Sequence, residues 1–351
     1  MSAVVTGHGH ALPAPMGQQA LWEGYFREHY ADARVARAVW AHSGITTRHG
    51  VVSPLVEDVS GWGTAARMER FVQEAVPLGG EAVGKALAAS GLDPADVGGF
   101  VVASCTGYAT PGVDILVARD TGLPASVQRL HVGHMGCYAA LPALGAAADF
   151  VVARQQPAVL LCIELTSLHV QPSTDTARRG EPTPQDLQQM VAHALFADAA
   201  AALVLEPGGA GWEVLDAVAR TDVGTADHMT WDVTDLGFVM GLSPKVPDVL
   251  AVHARPVVDE LLSRNGLVVE QVQGWAVHPG GRRIVEVVGE ALGLSEEQTA
   301  PSYAVLDEAG NCSSATVLLV LERVQVEAGE HAVAMAFGPG LTLCATLLRR
   351  R

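Results

Sequence analysis

The sequence is poor in charge, and it lacks the features that most quickly assign a chain. Charged residues make up only 17% of its 351 positions, and the acidic ones prevail, for a formal net charge of −16. That balance excludes nucleic acid and anionic membrane as main partners, but not a small anionic substrate held by a few local arginines. Five cysteines, at 105, 137, 162, 312 and 344, form no CxxC pair. Neither a disulfide framework nor a zinc ribbon is indicated, and a reducing cytoplasm is expected. The opening MSAVVTGHGHALPAP has no basic segment followed by a long apolar one, so it is not read as a signal peptide. Apolar runs elsewhere are broken by Asp, Arg or Gly-Pro before the ~20 residues of a membrane span. His8, His10, His131 and His134 include an i, i+3 pair, but no further ligand is spaced to complete a metal site.

What is present is a large core. Hydrophobic content is 49%, which with this length implies one or two compact units. The runs at 97–105, 158–164, 201–207, 274–278 and 332–338 read as buried strands, and 80–91 as a helix ended by Gly91. Continuous apolar strands alternating with helices predict an α/β fold with both sheet faces covered. The polar, Pro-rich stretch 171–189 reads as a surface loop.

The chain also repeats itself. EAVGKALAASGLDPADVGGFVVA (81–103) and PVVDELLSRNGLVVEQVQGWAVH (256–278) share a helix, a Gly-Leu turn and a Gly-aromatic strand, with a constant offset of 175. The same offset carries Cys137 to 312, beside Asn311, and Ile163 to Gly338. A repeat this long means a duplicated domain rather than a solenoid. The expected halves are residues 1–208 and 209–351. Their packing would bring Cys137 of one half toward His278 and Asn311 of the other.

Each of these three residues has an ordinary reading and a chemical one. Cys137, in HVGHMGCYAALPALG, is a small buried hydrophobe or a nucleophile at a helix start, where the dipole lowers a thiol pKa from ~8.5. His278, in WAVHPGGRRIVE, is a core histidine or a catalytic group at the end of a strand. Asn311, in GNCSSAT, is a helix cap or an amide donor. In AFGPGLT, Gly338 and Pro339 form a plain turn or a rigid backbone beside a site.

Taken in order, Cys137, HPGG, GNCSSA and FGPGLT resemble the type III polyketide synthases, the chalcone synthase-like branch of the thiolase superfamily. LFADAAAALVLE (195–206) and GFVMGLSPKVPD (237–248) extend the resemblance over nearly the whole chain. It implies a thiolase-like αβαβα layered fold built from two duplicated halves, a homodimer, and no cofactor beyond CoA thioester substrates. Cys137 matches the nucleophile that accepts the starter acyl group, and His278 and Asn311 match the other two catalytic residues. As an imidazolium, His278 would hold Cys137 ionised. His278 and Asn311 would donate to the malonyl thioester oxygen as charge builds there on decarboxylation, each such donor being worth ~3 kcal/mol. Phe196 and Phe238 match two aromatic gatekeepers between CoA tunnel and cavity. Cys105, Thr166, His169, Met229 and Ser313 match cavity-lining positions.

Three departures from the plant enzymes bear on substrate. Cys105 stands where they carry Thr, Thr110 where they place a Met that reaches into the partner subunit, and the CoA-contact segment offers only Arg34, Arg37 and Arg48. The starter could thus arrive on CoA or on an acyl carrier protein. The small residues after Cys137 are similar to those of bacterial alkylpyrone and alkylresorcinol synthases, implying a fatty acyl starter and a cyclised alkylpyrone, alkylresorcinol or similar phenolic. The rival enzyme, a ketoacyl-ACP synthase III releasing after one condensation, carries an Asn shortly after its His, and HPGGRRIVE has none. A hydroxymethylglutaryl-CoA synthase would use a Glu acid in place of the Asn311 motif. A rival of another class is a catalytically inactive partner subunit, which would have no need of all three residues.

Overall fold

The computed structural model describes residues 2–179 and 181–351. The main strands are β1 (Ala3–Ala11), β2 (Gly99–Ala103), β3 (Gln128–Val132), β4 (Ala158–Glu164), β5 (Ala199–Pro207), β6 (Trp212–Thr221), β7 (Met229–Thr234), β8 (Gly237–Leu242), β9 (Gly274–Val277), β10 (His331–Gly338) and β11 (Thr342–Arg350). The main helices are α1 (Thr64–Ser90), α2 (Val113–Asp120), α3 (Ala140–Arg154), α4 (Pro184–Leu195), α5 (Val246–Arg264), α6 (Arg282–Leu292), α7 (Glu296–Ala309) and α8 (Thr316–Arg323).

Nine strands join in the order β9-β10-β11-β6-β1-β5-β4-β2-β3. At the centre β1 meets β6 antiparallel, Val4 opposite Glu213 and Val5 opposite Trp212. Outward from that seam the two wings repeat: β1-β5-β4-β2 on one side and β6-β11-β10-β9 on the other, with β3 added only to the first. The duplication legible as a 175-residue offset is therefore a duplication of topology.

Strand alternation sorts the core into layers. Leu160 and Cys162 of β4, Ala201 and Leu203 of β5, and Ala332, Ala334 and Ala336 of β10 face one shared interior with α3 and α8. Their neighbours Val159, Leu161, Ala202 and Val204 face α1 and α2 on one outer side. Val333, Met335, Leu343 and Ala345 face α5 and α6 on the other. The layers thus run α, β, α, β, α. Each fully buried Leu or Val in them contributes roughly 2 kcal/mol.

α3 carries an apolar run that Asp149 breaks before ~20 residues, as the sequence reading holds. The helical run Gly136–Arg154 is long and apolar enough to cross a membrane, by length and composition. It is the central layer instead: Ala140, Leu141, Ala143, Leu144, Ala147 and Val151 are all buried. A helix with sheet on both sides needs no polar face.

The stretch 171–189 is also not a plain loop. Apart from residue 180, which lies outside the described residues, it holds the short helix Asp175–Arg178 and the start of α4. Thr183 and Asp186 cap each other's backbone N–H, and Pro184 sits at the first helical position, where its missing N–H does no harm. Buried Asp186 also accepts from Thr174 and Thr176. The polar residues that read as a loop are capping groups.

Candidate active site

Cys137 sits in a single helical turn, Gly136–Tyr138, that leads into α3. Gly136 has φ +66, and a Cβ there would stand 2.9 Å from Cδ of Pro339. Only glycine makes this turn without displacing the AFGPGLT segment. The thiol is 5% exposed. Burial pushes it up to about 12, outweighing the hydrogen bonds from Ser313 and Asn311 that act the other way.

His278 follows β9 and is 1% exposed. Its backbone N–H donates to Met335 O at 2.8 Å, while its ring meets Phe337 edge-on with centroids 6.3 Å apart. Neither ring nitrogen has a hydrogen-bond partner, an arrangement that costs about 1–3 kcal/mol per buried group. Burial alone pushes the imidazole down to about 3. Burial thus works against the ionised pair expected from the sequence. Desolvation disfavours both charges, the Cys137 thiolate and the His278 imidazolium alike.

Asn311 is fixed from several directions. Its Oδ1 accepts from Ser313 N–H at 2.9 Å, which turns Nδ2 toward Gly280 O at 3.3 Å. Its backbone N–H donates to Leu195 O and its carbonyl accepts from Ala197 N–H, both at 2.9 Å, so the Asn311 and Phe196 segments are bridged. Arg48 secures the same segment. Its Nη1 donates to His193 O at 2.5 Å and Phe196 O at 2.9 Å. Arg48 is 5% exposed, so it holds backbone carbonyls at the end of α4 and is not a CoA contact.

Cys137, His278 and Asn311 share one cavity of about 440 Å³ with Phe196 and Met229. Leu187, Val191, Leu242 and Leu250 give it apolar walls. The exposed Arg282 and Arg283 mark its outer end. These two arginines open α6 directly after HPGG and were not among the cations named from the sequence. Behind Cys137 lies a second void of about 20 Å³, bordered by Cys105, Thr166, Phe196, Met229, Ser313 and Pro339. A third, of about 60 Å³, is bordered by Thr166, His169, Phe196 and Phe238. Phe196 touches all three. Phe238 does not reach the large cavity; it lies flat on His169, with centroids 4.5 Å apart. Gly338 borders none of the three. A Cβ on it would come within 2.6 Å of Tyr138 Cδ1, so it lets β10 lie against the turn that carries Cys137.

Glu164 was not singled out from the sequence, although a carboxylate closing the apolar run AVLLCIE is a signal. It is wholly buried. Ser314 Oγ donates to it at 2.6 Å, Thr106 Oγ1 at 2.8 Å and Cys105 N–H at 3.0 Å. Burial raises its pKa despite these donors. Among the described residues no three His, Cys, Asp or Glu side chains cluster as metal ligands would.

A buried thiol at a helix start, an imidazole with free nitrogens and an oriented amide, gathered at one apolar cavity of a duplicated αβαβα fold, define a thiolase-fold condensing enzyme. Residues 2–209 match the family described as chalcone and stilbene synthases, N-terminal domain, and residues 215–350 match the C-terminal domain of the same family. The chain is 36% identical over 326 residues to the alpha-pyrone synthesis polyketide synthase-like Pks18 of Mycobacterium tuberculosis, covering 87% of this chain and 79% of that protein. It is 33% identical over 331 residues to the 1,3,6,8-tetrahydroxynaphthalene synthase of Streptomyces peucetius subsp. caesius, covering 91% and 84%. The crystal structure of PKS-I from the brown alga Ectocarpus siliculosus superposes with a TM-score of 0.87 at 29% identity, covering 100% of this chain and 98% of that one. The chain belongs to the chalcone and stilbene synthase family, the type III polyketide synthases, and is a decarboxylating condensing acyltransferase.

Proposed function

We propose that Cys137 carries the growing acyl chain and that His278 and Asn311 stabilise the malonyl-derived enolate. His278 takes the thiol proton as the sulfur attacks the acyl thioester of the starter, and the CoA thiol leaves with that proton. Malonyl-CoA then enters the same cavity. Loss of CO2 leaves the electron pair as an enolate, whose oxygen receives hydrogen bonds from His278 Nε2 and Asn311 Nδ2. The enolate carbon attacks the Cys137 thioester, a C–C bond forms, and the sulfur departs as thiolate or is reprotonated. The product, two carbons longer, reloads on Cys137 until it cyclises to a pyrone, resorcinol or similar phenolic.

The observation that carries this reading is the convergence of the three side chains on one 440 Å³ cavity while both His278 nitrogens remain unpaired. The apolar walls suit an alkyl starter such as a fatty acyl group, on CoA or on an acyl carrier protein. Five free cysteines and no disulfide among the described residues favour the cytoplasm. The assembly we infer is a homodimer through β3, an edge strand bonded only to β2, with Leu130 47% exposed.

The test is mass spectrometry of products from malonyl-CoA and acyl-CoA starters of graded length, with Cys137→Ala as control. Cyclised triketides or tetraketides that vanish in the control support the reading. A single β-ketoacyl product would move the protein to the one-condensation class, and a folded wild type that condenses nothing would refute it.

A further inference from the structure

The space behind Cys137 is small for a reaction that lengthens its substrate. At about 20 Å³ the inner void holds roughly one water. Next to it lies the 60 Å³ void. The two are separated by a common wall of Thr166, Phe196, Trp231 and Met240, each of which borders both. Trp231 is the largest of the four.

Trp231 belongs to the β7–β8 hairpin, which pairs only with itself and lies outside the nine-stranded sheet. Its indole reaches inward, and Nε1–H donates to Cys105 O at 2.9 Å. It stands edge-on to His169, with centroids 5.5 Å apart and planes at 79°, and edge-on to Phe238 at 5.9 Å and 80°. The two rings behind it are pinned. His169 Nε2–H donates to Thr106 O at 2.7 Å, and its Nδ1 accepts from Phe238 N–H at 3.1 Å. The indole has one hydrogen bond and is half-buried. Phe196 and Trp231 are the aromatic residues that border the inner void, and Trp231 is the one that also packs on the His169–Phe238 stack.

Resting on the condensing function proposed above, we propose that Trp231 sets the upper length of acyl chain that the site accepts. With the indole in place the inner void ends at the Trp231 wall. Without it the inner and neighbouring voids become one chamber, entered from Cys137 and floored by the His169–Phe238 stack.

The test compares wild type, Trp231→Ala, Trp231→Leu and Val233→Ala in the full chain. Val233 lies on the same hairpin and is 72% exposed, so it reports any general loosening. Acyl-CoAs from acetyl to dodecanoyl are supplied with malonyl-CoA. Products are read by mass spectrometry, and acylation of Cys137 by intact-protein mass. The ratio of turnover on the longest to the shortest accepted starter is expected to rise roughly tenfold or more in Trp231→Ala, the discrimination one or two methylenes give in an apolar pocket. Trp231→Leu should show a smaller rise and Val233→Ala none. If the alanine variant does not fold, the leucine variant carries the comparison. An unchanged length profile in a folded Trp231 variant, or the same change in Val233→Ala, would overturn the assignment. A wild type that forms no condensation product refutes the condensing reading separately, and the length dependence of Cys137 acylation still decides the role of Trp231.

Discussion

Replacing His278 with alanine isolates what ionises Cys137. In the buried site the thiol stands at about 12 with hydrogen bonds from Ser313 and Asn311 already acting on it. At pH 7 a thiol at that value is ionised in roughly one molecule in 10⁵, against a few per cent for an exposed cysteine near 8.5. His278 has both ring nitrogens unpaired, and burial favours its neutral form, so it can accept the proton as sulfur attacks. A positioned base of this kind contributes roughly 10²–10⁴ in rate. Alkylation of Cys137 by iodoacetamide, followed by intact-protein mass from pH 6 to 10, should therefore be at least ~100-fold slower in His278→Ala than in wild type at pH 7. In the variant the rate should climb about tenfold per pH unit with no plateau across that range, as for a thiol titrating near 12. Asn311→Ala, which removes a donor but no base, should lose far less. Equal rates in wild type and His278→Ala would refute the reasoning, as would a plateau below pH 9 in the variant.

Three further outcomes follow from the packing around the site. Arg48→Ala removes two charge-assisted hydrogen bonds to the His193 and Phe196 carbonyls, so chemical denaturation should show a loss of about 2–4 kcal/mol, and a change under ~1 kcal/mol would contradict a clamp. Gly338→Ala drives a Cβ to 2.6 Å from Tyr138 Cδ1 and 3.0 Å from Met135 O, so kcat should fall by roughly tenfold or more, with about 1–3 kcal/mol of stability lost; unchanged kcat would mean the turn yields freely. Burial raises the Glu164 pKa above its unfolded value, so its contribution is fully present below the unfolded pKa and is lost as pH rises through the folded one. The stability of wild type relative to Glu164→Gln should thus be greatest near pH 4 and decline toward pH 8 in parallel denaturation curves, and a gap that widens with pH would contradict the burial account.

How much of this was legible in the sequence depends on which force wrote each feature. Strands walled on both faces leave an unbroken apolar run, and AVLLCIE became β4 residue for residue. The Gly91 helix end was legible because a left-handed residue is needed there, φ +75. α1 was recognised only in its last turns: it begins at Thr64, and Pro77 interrupts the pattern without ending the helix. β6 and β7 alternate with polar and exposed residues and leave no continuous run to read. The duplication was legible, yet it cannot say which half holds the reactive thiol, since the offset pairs Cys137 with position 312, also a cysteine. Surroundings decide that. Cys312 is wholly buried in the shared interior and donates only to Ala309 O at 3.5 Å. Cys137 borders the cavity that also holds His278 and Asn311. The charge state of the thiol is likewise not written in the motif. A motif records which groups meet, whereas burial of the surrounding 440 Å³ cavity wall, contributed by residues scattered from Val39 to Phe337, sets whether those groups carry charge when they do.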